Sequence, residues 1–105
     1  MSYRVIFEAE ADADLLRLYD HIVERAEYVE DLDIADRALG AIRTALLALA
    51  ATPLLFRKAG VNRKPLRREL VVPFGSAGYI VEYEVAGPEL VVVLAVRHQR
   101  EEDLH

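Results

Sequence analysis

At 105 residues the chain is long enough for one hydrophobic core and short for two, so a single domain over 1–105 is expected. It contains no cysteine, which excludes a disulfide framework and a thiolate metal site and suits a reducing cytosol. The formal net charge is −5, but residues 1–50 carry 5 basic and 11 acidic side chains against 8 and 7 in residues 51–105, so a basic patch sits on an acidic protein.

The opening Met1-Ser2-Tyr3-Arg4-Val5-Ile6-Phe7-Glu8 returns to charge after three apolar residues, so neither a signal peptide nor export is expected and the protein is placed in the cytoplasm. Tyr3 to Phe7 is aromatic and β-branched, which favours a strand. From Glu8 to about Ala26 the period changes. Leu15, Leu18, Tyr19, Ile22 and Ala26 form one apolar stripe, with Glu10, Asp14, Arg17 and Glu24 for the opposite side, the pattern of an amphipathic helix.

The acidic segment Glu27 to Asp33 interrupts that pattern, and Asp31 or Asp33 could cap a second helix. Its stripe is Ala35, Ala38, Leu39, Ile42, Ala45, Leu46 and Leu49. It should stop near Ala51, because Pro53 lacks an amide and disfavours helix in Thr52. The uncharged run Thr44 to Phe56 is 13 residues, short of the about 20 needed to span a bilayer, so no membrane partner is expected.

Leu54 to Pro65 has no clear period and reads as an ordered surface loop. Between Arg57 and Arg68 stand six basic residues (Arg57, Lys58, Arg63, Lys64, Arg67, Arg68) and no acidic one. Three strands follow: Leu66 to Val72, Tyr79 to Val85 and Leu90 to Val96, with turns at 73–78 and 86–88. In the middle strand Tyr79, Val81, Tyr83 and Val85 share one face while Ile80, Glu82 and Glu84 take the other. Strand, two-helix hairpin and three-strand meander predict an α+β fold, β-α-α-β-β-β, with the hairpin packed on a mainly antiparallel sheet of about four strands. The charged tail Glu101 to His105 is expected to fray.

The glycines occur singly, so no phosphate-cradling loop is supported, and three scattered histidines suggest no metal site; no cofactor is expected. The constellation of interest lies where the apolar run ends, at Arg97, His98 and Arg100. Two permanent cations beside an imidazole, which titrates near neutral pH, suit recognition of a phosphate or carboxylate, or acid/base work on RNA. The plainer reading is a solvated strand end. Arg67 and Arg68 could extend this cationic surface, or pair with acidic helix residues. Tyr79 and Tyr83 suit core packing with satisfied hydroxyls, with a base-stacking platform as the alternative.

The helix hairpin after a first strand, the strand Gly78-Tyr79-x-x-x-Tyr83-Glu84-Val85, and the apolar strand running into Val96-Arg97-His98-Gln99-Arg100-Glu101 resemble the RelE/ParE superfamily of type II toxin–antitoxin toxins, over about residues 3 to 103. The His98-Gln99-Arg100 ending is similar to the ParE branch. That resemblance implies a cytoplasmic bacterial toxin that inhibits DNA gyrase, arrests growth and is neutralised by a cognate ribbon-helix-helix, ParD-like antitoxin. It implies no catalysis, and nucleic-acid contact only indirectly, through gyrase or the antitoxin complex. Arg97, His98, Arg100, Arg67 and Arg68 are then the target-binding candidates.

The superfamily's other branch cleaves messenger RNA on the ribosome, for which His98 would serve as acid and Arg67, Arg68 and Arg97 as cations. The chain departs from that branch in having no tyrosine or phenylalanine after Tyr83 and only Glu69 as an acidic neighbour of the arginine pair. Its overall acidity also disfavours a surface that tracks an RNA backbone. A third reading is a non-toxic relative that only binds antitoxin. Leu16 and Val23, off the main stripe of the first helix, are the antitoxin-contact candidates unless they face the sheet.

Overall fold

A computed structural model of the chain describes residues 2–58, 67–75 and 77–99. Arg100, the tail 101–105 and most of the basic loop, 59–66, lie outside the described residues. The elements are β1 (Arg4–Phe7), α1 (Ala9–Glu24), α2 (Val29–Ala51), a 3-10 turn (Pro53–Leu55), β2 (Arg57–Lys58), β3 (Arg67–Phe74), β4 (Ala77–Gly87) and β5 (Leu90–His98). The α+β reading holds, with the helix pair laid on one face of a sheet ordered β1-β5-β4-β3-β2. α1 lies over β5 and α2 over β3.

Strands β3, β4 and β5 form the antiparallel meander, and β1 joins the far edge of β5 in parallel, from Arg4 opposite Leu90 to Phe7 opposite Val93. The fifth strand, β2, pairs two residues with Glu69 and Arg68. Two residues are too few to show alternation, so this segment reads as loop in the sequence. Between the sheet and the helices lie Leu18, Ile42, Leu49, Val81, Tyr83, Val91, Val93 and Val96.

The second helix begins at Val29, earlier than a cap at Asp31 or Asp33 would allow. A carboxylate in the first turn of a helix is stabilised by the unpaired amides there, so Glu30 continues the helix where the pattern suggests a break. Only residues 25–28 separate the two helices. At the other end the backbone amide and the hydroxyl of Thr52 both donate to the Ala48 carbonyl, at 3.0 and 3.1 Å, and Pro53 then opens the 3-10 turn.

The β3–β4 hairpin is tighter than the six-residue turn expected, because pairing runs through Pro73 opposite Gly78 to Phe74 opposite Ala77. Glycine makes this possible twice. Gly75 takes φ of 61°, and a Cβ at Gly78 would overlap the Val72 carbonyl oxygen. The β4–β5 ladder shifts register at Glu82/Tyr83, where Ala95 and then Val93 face consecutive β4 residues and Leu94 is the extra residue. Val91, Val93 and Val96 are therefore all buried on the helix side, which strict alternation would forbid.

Candidate functional site

That bulge decides where the strand end aims its charges. Counting by twos from Val93 would turn Arg97 towards the helices; after the bulge His98 takes that face, opposite Tyr79, and Arg97 points away from them, opposite Ile80. The imidazole meets the Tyr79 ring edge-on, with centroids 5.5 Å apart and planes at 90°. Burial raises the Tyr79 hydroxyl pKa above its ordinary value.

On the face away from the helices, Arg97 and Arg67 reach across β4 from opposite sides to one carboxylate. Arg97 donates from Nη1 to Glu82 Oε2 at 2.7 Å, and Arg67 donates from Nη1 to Glu82 Oε1 at 3.0 Å. Arg67 Nε also donates to Glu84 Oε1 at 3.3 Å. The Glu82 side chain is 3% exposed, whereas those of Arg67 and Arg97 are 30% and 22% exposed. Burial acts to lower the Arg67 pKa, but its hydrogen bonds to Glu84 and Glu82 and their charges outweigh this and raise it. Glu69, directly opposite Glu82, is also buried.

Arg68 lies on the helix side of β3 and is spent on backbone. Its Nη1 donates to the Leu54 and Phe56 carbonyls at 3.2 and 2.7 Å, while the buried Tyr83 hydroxyl donates to the Pro53 carbonyl. Burial pushes the Tyr83 hydroxyl pKa up to about 12, against the opposing pull of Arg68. These bonds hold the turn that leads into β2. Tyr79 and Tyr83 are accordingly core residues, with no ring face free for stacking.

Asp14, which the helix pattern places on the polar side, is half-buried and holds the strand end instead. Its Oδ2 accepts the Val96 amide at 2.9 Å and its Oδ1 accepts Arg17 Nη1 at 3.0 Å. β1 has already ended opposite Val93, so the side chain stands in for a missing strand.

Of the candidates for target binding, the structure brings Arg67 and Arg97 together and sets Arg68 and His98 on the other face. Those two align with Tyr83 and Tyr79, four residues apart on β4, which is about 13 Å along a strand. Leu16 is 63% exposed and Val23 half-buried. Reasoning from the sequence missed Glu82, Glu84 and Asp14 as organising residues. The available signal was a pair of carboxylates at alternate positions of a central strand whose two neighbours each carry an arginine. Among the described residues no group of three His, Cys, Asp or Glu side chains could hold a metal ion, and no helix is long and apolar enough to cross a membrane.

The family model described as "ParE toxin of type II toxin-antitoxin system, parDE" matches residues 5–103. Toxin RelE3 of Caulobacter vibrioides is 35% identical over 91 residues, spanning 87% of this chain and 88% of that protein. Toxin RelE1 of the same organism is 30% identical over 92 residues, spanning 88% and 89%. The fold is similar to that of the chromosomal ParDE system from P. aeruginosa, with a TM-score of 0.71 at 18% identity over 92% of this chain and 96% of that one. It is also similar to the RelBE2 toxin–antitoxin complex from Mycobacterium tuberculosis, with a TM-score of 0.60 at 21% identity over 93% and 99%.

Proposed function

The chain belongs to the ParE toxin family of type II toxin–antitoxin systems, and from that premise we propose that it inhibits DNA gyrase in the cytoplasm and is neutralised by a ParD-like ribbon-helix-helix antitoxin. The observation that carries the choice of target is the division of the four residues a ribonuclease would need. Cleavage at a ribose 2′-hydroxyl requires acid, base and phosphate-binding cations around one phosphodiester. Here Arg67 and Arg97 share Glu82 on one face, while Arg68 and His98 stand apart on the other. A gyrase inhibitor needs no such convergence, since it acts by occupying a protein surface.

The end of β5, with Arg97 and His98, remains a candidate contact for the target, as does Arg100, which lies outside the described residues. The exposed Leu16 and half-buried Val23 of α1 remain the candidates for the antitoxin, which would stabilise the toxin by mass action. A second reading, ribosome-dependent cleavage of messenger RNA, is favoured by the RelE names of the two Caulobacter relatives. The test is purified chain added to gyrase and plasmid DNA. Inhibited supercoiling with accumulation of cleaved DNA is expected, and unimpaired supercoiling with no trapped cleavage would count decisively against the proposal.

A further inference from the structure

Two guanidiniums side by side on a sheet face are the usual makings of a phosphate site, because each presents a planar fork of donors that matches phosphate oxygens. In this chain the position between them is filled. Each oxygen of Glu82 accepts one arginine, at 3.0 Å from Arg67 and 2.7 Å from Arg97, and Glu84 takes a second nitrogen of Arg67 at 3.3 Å. We propose that Glu82 is a specificity determinant that keeps phosphate-bearing ligands, single-stranded RNA above all, off this face of the sheet.

Three features support the assignment. Glu82 stands on the central strand of the meander with β3 and β5 on either side, so its carboxylate lies between the two arginines. It is almost wholly buried, and in that low-dielectric setting a phosphate approaching Arg67 and Arg97 would meet a fixed like charge little weakened by solvent. Both arginines keep part of their surface in water, at 30% and 22%, so they are within reach of a ligand once the carboxylate is neutralised. The inference rests on the gyrase reading for its meaning in the cell, where a toxin aimed at a protein gains by ignoring RNA, but its test involves no gyrase.

Binding of the full chain to a short fluorescent single-stranded RNA, and separately to inorganic pyrophosphate, is measured at low salt for the wild type, Glu82→Gln, Glu84→Gln and the double variant Glu82→Gln/Arg97→Ala. With charge-assisted bonds made available, Glu82→Gln should bind RNA about tenfold more tightly than the wild type and with a steeper salt dependence. Glu84→Gln should show a smaller gain, since it frees one contact of Arg67, and adding Arg97→Ala should remove most of the gain of Glu82→Gln. A matching gain with pyrophosphate would support a site built for phosphate groups, whereas a gain with pyrophosphate alone would overturn RNA as the excluded ligand. Unchanged RNA affinity in both single variants, or a gain that survives Arg97→Ala, would overturn the proposal. If circular dichroism shows Glu82→Gln unfolded, Glu84→Gln decides alone, with unchanged affinity overturning it. Gyrase inhibition by the wild type, measured separately, bears only on the proposed function.

Discussion

Replacing Glu82 by alanine should destabilise the fold by about 2–3 kcal/mol, through the two arginines left behind rather than the carboxylate removed. Taking one partner from a fully buried ion pair costs about 3–5 kcal/mol, because the remaining charge is left desolvated. Arg67 and Arg97 keep 30% and 22% of their side-chain surface in water, which screens part of that penalty and brings the cost below that range. For a domain of this size, about 4–8 °C per kcal/mol corresponds to a melting temperature lowered by roughly 10–20 °C. Urea unfolding followed by circular dichroism reads the change, with an unaltered m-value showing that stability moved and not the extent of unfolding. Double-mutant cycles then separate the arms. Arg67 and Arg97 each bond one oxygen of Glu82, so each coupling should exceed that of an exposed pair. A loss under about 1 kcal/mol on removing Glu82, or couplings no larger than those of exposed pairs, would refute the reasoning.

Tyr83→Phe should cost about 1–2 kcal/mol at neutral pH by leaving the Pro53 carbonyl without its donor, measured by urea unfolding. Since burial raises the Tyr83 pKa to about 12 from 10.0, its contribution is present below pH 10 and lost as pH rises towards 12; Tyr83→Phe should flatten that alkaline limb. Asp14→Ala should speed amide exchange at Val96 while the Val91 and Val93 amides stay protected, read by hydrogen exchange, because its carboxylate takes the place of β1 beyond Val93. Leu16→Glu should leave the melting temperature within about a degree, since the side chain is 63% exposed, yet weaken antitoxin binding tenfold or more by calorimetry.

Much of this architecture is legible because each element carries its own period. The stripe through Leu15, Leu18 and Ile22 and the alternation of Tyr79, Val81 and Tyr83 are local signals, and they place both helices and the meander to within a few residues. The early start of α2 escapes that pattern because acidic residues mark both a break and a favourable first helical turn. The bulge at Leu94 is less visible still. Nothing in the run Leu90 to Val96 announces it, yet it reverses the faces of Arg97 and His98. The convergence on Glu82 depends on which strands flank β4 and in what register. Such information belongs to the assembled sheet, so the charged residues are identifiable in sequence while their partners are not.

The central claim, that this family member attacks gyrase and not messenger RNA, is tested most directly by inducing the chain alone in bacteria and following chromosome integrity and transcript integrity in the same culture. Gyrase inhibition predicts a DNA-damage response and halted replication within the first generation, with transcripts full length. Cleaved transcripts and arrested translation over intact chromosomes would contradict it.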